Sequence, residues 1–429
     1  MQPPKAIPVD PLGWCLGLTA AFAMLVLLRL GIPTTPYFDE IHYLPAAREY
    51  WSLGKYVNRE HPLLGKELIG LGMAMFGDGP WGWRVMPALA GILTLFAGMR
   101  AMWFASASRF ATIAFGILLA TGFYVFVNAR IAMLDIFMVG FTVFSYWQLA
   151  AAMREPEHGR VRLILAGIGI GLALASKWNA APLAALPGLA FLILRARAGR
   201  RRLLVSQRGL PVPGISLIEA AIWLGALPLA VYAATYWPAW HFANGAIGTP
   251  GGPADFLALH TEAVRLQESV IKTHPYMSRW WQWVPNIRSI WYLYEPIDGA
   301  QRGIVLIGNP LTMLLGLAAM LWALREAFAR RNAPAAAVVV LYSVTLGFWI
   351  VSAKPIQFLY HYMLPSIALL GALALALDAL WQRGHRAMAL APLEGSVAIF
   401  AYFYPILSAA PLSGGGPAFK QWMWLASWR

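Results

Sequence analysis

Two adjacent carboxylates, Asp39 and Glu40 in the run Tyr37-Phe38-Asp39-Glu40-Ile41-His42-Tyr43, follow directly on the first long apolar stretch of the chain. A carboxylate held at a membrane surface can take a proton from a hydroxyl group. Asp followed by Glu also suits a plain helix start, as a cap and a charge at the positive end of the helix dipole. Other ionisable side chains stand at the ends of later apolar stretches: Arg84, Arg130, Asp135, Lys177 and Lys354. Any one of these cations reads equally as a residue snorkelling to the interface. Asp135 is different, because a carboxylate about one turn into a span needs a cation, either Arg130 or another. A second dense segment, Asn58-Arg59-Glu60-His61-Pro62-Leu63-Leu64-Gly65-Lys66-Glu67, adds His61 and Lys66. Pro62 suits a first helical turn, and a short surface helix over about residues 63–75 follows. A surface element without chemistry would account for the nearby tyrosines and Trp51, but not for the acids, His and Lys that accompany them.

The elements that must carry these groups follow from composition. With 59% hydrophobic and 12% charged residues and 20 Trp, this is an integral membrane chain. Spans are expected at about 12–32, 82–104, 110–128, 131–153, 161–177, 179–195, 215–237, 303–325, 335–352, 359–381 and 388–410, about eleven in all. The expected fold is an all-α polytopic membrane protein, read as one domain over residues 1–429. Arginine sets the orientation: Arg100 and Arg109, then Arg154, Arg160 and Arg162, then Arg195 to Arg208, then Arg325 to Arg331, then Arg383 and Arg386 fall in alternate connections, which belong in the cytoplasm. Two long loops, about 33–81 and 238–302, then face outward, and a cytoplasmic (plasma) membrane location with the polar cluster on the outer face is expected. The net charge of +14 is thereby topology facing anionic membrane lipids, not a nucleic-acid footprint. Arg200-Arg201-Arg202 reads as a stop signal at those headgroups.

The rest is quieter. The first apolar run is expected to be a retained anchor, and Cys15, the lone cysteine, forms no internal disulfide. Gly167, Gly169 and Gly171 point to close helix packing, not phosphate binding. The aromatic tail with Trp422, Trp424 and Trp428 is expected to rest at the interface. No His or Cys spacing resembles a zinc site.

In their order along the chain these residues resemble the protein O-mannosyltransferases, membrane glycosyltransferases of GT-C architecture that use a lipid-phosphate sugar. The resemblance rests on Asp39-Glu40 in the first outer loop, His61-Pro62-Leu63-Leu64-Gly65-Lys66 after it, Arg84 shortly before Pro87-Ala88, Arg130 to Asp135, and Ser176-Lys177-Trp178. His274-Pro275-Tyr276-Met277-Ser278-Arg279-Trp280-Trp281 resembles the family's second outer loop, and Phe358 to Tyr362 opens a span in a similar way. Leu63 stands where the family has a second proline, and the 238–302 loop is too short for the β-rich domain of eukaryotic members, so a bacterial-type member is implied.

The resemblance implies transfer of mannose from polyprenyl-phosphate mannose to Ser or Thr hydroxyls of secreted or membrane proteins, with inversion in a single displacement. Such a reaction needs a base at the hydroxyl and cations at the departing phosphate. Asp39 is the expected base and Glu40 its alternate or an acceptor-binding group. Arg84, Arg130 and Lys177 are the expected phosphate ligands, with His61, Lys66, Asp135 and Lys354 completing the donor site and His274, Tyr276 and Trp281 an acceptor loop. Arg84 could instead hold Asp39 in its ionised form, which would make it structural within the site. No cofactor is identified, the lipid-phosphate sugar being the donor substrate; a divalent metal on Asp39, Glu40 and Asp135, and pairing with a second copy, stay open. Two other readings remain: a GT-C enzyme that modifies a lipid or cell-envelope glycan, and a transporter, which should carry ions at mid-membrane.

Overall fold

The computed structural model describes residues 9–198, 202–243, 253–269, 273–352 and 354–429. Arg200 and Arg201 of the basic run lie outside the described residues. The helices run α1 (Leu12–Leu27), α2 (Glu40–Trp51), α3 (Leu64–Phe76), α4 (Pro80–Ser106), α5 (Arg109–Thr121), α6 (Tyr124–Asn128), α7 (Leu134–Arg154), α8 (Gly159–Ser176) and α9 (Ala181–Arg197). After them come α10 (Leu217–Ala221), continued through a π turn into α11 (Leu227–Ala234), then α12 (Pro253–Ser269) and α13 (Trp280–Trp283). The last four are α14 (Pro310–Ala329), α15 (Ala333–Val351), α16 (Met363–Gln382) and α17 (Arg386–Leu407). Nine stretches among the described residues are long and apolar enough to cross a membrane, and the chain is a multi-pass membrane protein. α1 and α5, at the places of the first and third expected spans, have only 16 and 13 residues, or about 24 and 20 Å of helix.

Local sequence explains the helix ends. Side-chain oxygens of Ser108, Asn309 and Asn332 accept the N–H of Ala111, Leu311 and Ala335, capping α5, α14 and α15. Pro80 and Pro310 occupy first-turn positions where no N–H is missed. α8 packs tightly on the π turn and α11: a Cβ on Gly167 or Gly171 would strike the carbonyl oxygens of Trp223 or Pro228, the close approach expected of that glycine run. The arginine-rich ends meet at one end of the bundle, where Arg100 pairs with Asp10, Arg162 lies over Phe104, Arg109 over Trp14 and Arg386 over Trp381.

The fold is the expected helical membrane bundle, and three details of the expectation need correction. The second long loop also carries an element that was not expected, an antiparallel hairpin of β1 (Ile290–Ile297) and β2 (Ala300–Leu306). Its two-residue tip, Asp298-Gly299, has positive φ at both positions (49° and 72°), which Asp-Gly tolerates and a tight hairpin turn demands. β2 takes the residues expected to open the eighth span, so α14 begins only at Pro310. The third span stops at Thr121, because Phe123 takes φ 76° before the short buried α6. The tail does not simply lie at the interface: Trp422 and Trp428 are buried, and the Trp428 carbonyl accepts Ser289 Oγ at 2.8 Å and Trp291 Nε1 at 3.0 Å, which fastens the chain end to the hairpin.

Candidate active site

Asp39 and Glu40 are neighbours that face opposite ways. Successive helical residues are turned by about 100°, and α2 uses that turn to separate two roles. Asp39 and Tyr43, four apart, line a cavity of about 230 Å³, whereas Glu40, Leu44 and Ala47 are fully buried on the inner face. The turn before α2 is pinned from both sides. Phe38, at φ 51°, stacks on Tyr292 of the hairpin at 4.4 Å, and Tyr37 Oη donates to the Arg130 carbonyl at 3.0 Å. Asp39 occupies the position before the first turn of α2, yet its side chain makes no capping hydrogen bond.

Glu40 is committed elsewhere. Its Oε1 and Oε2 accept Arg84 Nε and Nη2, both at 2.8 Å, and both side chains are fully shielded from solvent. The Ala132 and Tyr37 N–H groups also donate to this carboxylate, at 3.0 and 3.2 Å. Arg84 Nη1 donates to the Leu30 and Pro33 carbonyls at 3.3 and 2.6 Å, and Nη2 to Thr35 at 3.2 Å. The expected phosphate role of Arg84 and acceptor role of Glu40 are therefore corrected: the pair anchors the base of the first loop, so the structural role that the sequence allowed Arg84 is filled on Glu40 and not on Asp39. Arg130 is corrected in the same way. Its guanidinium caps the end of α1, donating to Leu25, Val26, Leu28 and Arg29 carbonyls. The Leu25 and Val26 carbonyls belong to the last turn of α1, where no N–H of the helix is left to reach them.

The cation that meets Asp135 is Lys177, with Nζ 2.7 Å from Oδ2 and both groups almost wholly buried. Lys177 follows α8 directly and also lies over the Tyr360 ring at 5.1 Å. It reaches the cavity wall together with Lys354, so two ammonium groups share a chamber with Asp39. Burial pushes Asp39 up to about 6 against the pull of Lys177, with Asp135 adding to the rise. Burial pulls Lys354 down to about 8; Lys177 lowers it further, while Asp135 and Asp39 act the other way.

His61 and His274 line the same cavity. Burial first, then Lys177, Lys354 and Lys66, hold His61 well below the usual imidazole range. Lys66 is corrected from ligand to strut: fully buried, its Nζ donates to the Asn58 carbonyl at 2.7 Å, the His61 carbonyl at 2.9 Å and Tyr50 Oη at 3.1 Å, holding the turn that presents His61. Of the expected acceptor loop only His274 reaches the cavity lining; Tyr276 rings against His274 at 5.7 Å, and Trp281 points away, 53% exposed. With Glu40 bound to Arg84, one of the three acids offered to a divalent cation is turned away from the cavity, and no group of three or more metal-ligating side chains occurs among the described residues.

Sequence reasoning missed several lining residues, among them His42, Tyr43, Asn58, Glu60, Gln267 and Tyr360. Glu60 and Gln267 meet because α12 lies across the first loop: Gln267 Nε2 donates to the Glu60 carbonyl at 2.6 Å, and Arg59 pairs with Glu262 at 3.0 Å. A second, apolar cavity of about 170 Å³ lies between α4, α5, α7, α9, α15 and α16, with Gly98, Phe115, Val143, Val338, Leu364 and Gly371 in its walls. A water-sized cavity sits between the two chambers; Tyr360 is common to it and the polar one, Thr345 and Leu364 to it and the apolar one.

Known proteins resemble this chain throughout. A family model described as dolichyl-phosphate-mannose-protein mannosyltransferase matches residues 78–244, and one for the C-terminal four-span region of protein O-mannosyltransferase matches residues 253–428. A polyprenol-phosphate-mannose–protein mannosyltransferase of Mycolicibacterium smegmatis is 28% identical over 100% of this chain and 96% of its own length. One of the same name from Mycobacterium tuberculosis is 29% identical over 98% and 93%. The fold matches the S. cerevisiae protein O-mannosyltransferase Pmt1-Pmt2 complex bound to the sugar donor, with a TM-score of 0.84 at 13% identity over 99% of this chain and 93% of that one. It also resembles ArnT from Cupriavidus metallidurans bound to undecaprenyl phosphate, with a TM-score of 0.57 at 19% identity over 88% of this chain and 63% of that one.

Proposed function

We propose that this chain, which belongs to the dolichyl-phosphate-mannose-protein mannosyltransferase family, moves a mannosyl group from a polyprenyl phosphate to protein hydroxyls, with Asp39 as the base. The observation that carries this reading is the pairing of one uncapped carboxylate with two ammonium groups around a single cavity, beside an apolar chamber that shares walls with it through the water-sized gap. A donor with a charged head and a hydrocarbon tail has the same division of character.

In this reading Asp39 accepts the proton of a Ser or Thr hydroxyl as its oxygen forms a bond to the anomeric carbon. The bond from that carbon to the phosphate oxygen breaks, its electrons leave with the phosphate, and Lys354 and Lys177 stabilise the charge that develops there. A displacement in one step inverts the anomeric centre, so a β-linked donor yields an α-linked product. Adjacent carboxylates that face opposite ways fit this single-base scheme, not the facing pair of a glycosidase. The arginine-rich end supports an orientation with that end in the cytoplasm and the cavity outside, at the plasma membrane of a bacterial cell.

The test is purified protein incubated with defined polyprenyl-phosphate sugars and either peptides or lipids as acceptors, both products being identified by mass spectrometry. Mannosylated Ser or Thr peptide with release of polyprenyl phosphate is expected. Transfer to lipid alone, or release of sugar with no acceptor modified, would overturn the reading.

A further inference from the structure

His361 is 5% exposed and lies immediately before α16, in the turn Leu359–Tyr362. Its ring is held on nearly every side. One face stacks on Trp349 at 3.9 Å and 17°, Tyr360 and Trp283 meet it edge-on, and Nδ1 accepts the Phe358 N–H at 3.1 Å. An Nδ1 that accepts carries no proton, so in the neutral ring the proton is on Nε2. That Nε2 is buried and has no hydrogen-bond partner. A buried donor without a partner is costly and rarely kept without a reason.

The cavity that His361 lines also has Asp135 and Asn179 in its walls, and its volume of about 10 Å³ suits one water molecule. Asp135 spends one oxygen on Lys177 and, as a carboxylate, can accept further bonds. We infer that one bound water bridges His361 Nε2–H to the Asp135 carboxylate, making His361 a positioning residue for the Lys177 ammonium. The water accepts from the imidazole and donates to the carboxylate, and Asn179 can complete its shell. The chain of contacts Trp349, His361, water, Asp135 and Lys177 then fixes a flexible ammonium to a rigid aromatic stack, without His361 touching the substrate. The effect on rate rests on Lys177 serving the donor phosphate, as proposed above; the bound water does not.

Two measurements test it. The first is an experimental density map of the wild-type protein at a resolution that resolves waters, where a solvent peak within hydrogen-bonding distance of His361 Nε2 and Asp135 is expected. A dry site, or a peak that touches only one of them, would overturn the inference whatever the enzyme's activity. The second is the kcat and donor KM of three variants. His361→Gln restores a donor near the Nε2 position, His361→Asn keeps only an acceptor for the Phe358 N–H, and His361→Phe keeps neither. His361→Gln should stay near wild type, while the other two lose about tenfold in kcat, the scale of a slightly misplaced reacting group. If His361→Asn matched the wild type and His361→Gln did not, the ring would serve only to cap Phe358. If His361→Phe lost nothing, the bridge would have no consequence for the reaction.

Discussion

Glu40 and Arg84 close on each other through two parallel hydrogen bonds of 2.8 Å in a place that solvent does not reach, while the preceding residue, Asp39, opens onto the polar cavity. One dipeptide therefore contains both an anchor and a reactive group. Removing one partner of a buried ion pair leaves a charge stranded, and costs about 3–5 kcal/mol in general. Arg84→Met and Glu40→Gln should accordingly lower the thermal unfolding temperature and the yield of folded protein. Arg84→Lys should not restore them, because an ammonium cannot donate bidentately to Glu40 and also reach the Leu30, Pro33 and Thr35 carbonyls. Unchanged melting of all three variants, with loss only of donor affinity, would return Arg84 to the phosphate.

The two lysines of the cavity should separate in their effects. Lys354 lies between α15 and α16 and faces the polar chamber, so Lys354→Met should raise the donor KM with little change in melting. Lys177→Met strands the Asp135 carboxylate, and should cost stability as well as turnover. Pairing Lys177→Met with Asp135→Asn should recover much of the stability and none of the rate. Melting curves and kinetics on the four proteins decide this; equal melting for the two single lysine variants would mean that Asp135 does not depend on Lys177.

The dependence on pH follows from two groups outside the spans. A carboxylate works as a base only when deprotonated, so kcat/KM for the free enzyme should rise as pH climbs through about 6, where burial sets Asp39. The Lys354 ammonium loses its charge as pH passes about 8, so the same quantity should fall there. Lys354→Arg should remove the alkaline limb, since a guanidinium stays charged, and leave the acid limb in position. An alkaline limb that persists unchanged in Lys354→Arg would assign it to another group.

What could be read from sequence here divides along a physical line. The helical bundle, the acidic dipeptide and the place of Lys177 were legible because a span leaves an unbroken apolar run and makes any ionisable residue conspicuous. The partner of each charge was not. Arg130 stands five residues from Asp135 along the chain, yet it caps α1, and Lys177 arrives from another helix to take the carboxylate. Such choices are made by packing between distant segments. The hairpin did leave a signal that the apolar count obscured: Asp298-Gly299 between two runs rich in aromatic and β-branched residues is a hairpin pattern. Gln267 could not have been found, because only the crossing of α12 over the first loop brings it to Glu60.

The strongest separation of chemistry from architecture lies at Asp39. Its position ahead of α2 is that of a cap, but no N–H of the helix is bonded to its side chain, so capping gives no reason for an acid there. Asp39→Asn keeps the size of the residue and deletes the base. Turnover should fall about a hundredfold or more, the usual scale for losing a positioned general base, with melting and donor binding close to wild type. Glu40→Gln should do the reverse, costing stability first, because its carboxylate is held by Arg84 and not aimed at a substrate. Transfer rate, donor affinity and unfolding temperature measured on both variants form a single experiment. A well-folded Asp39→Asn protein that still transfers mannose at near the wild-type rate would remove Asp39 from the reaction and leave the cavity without its base.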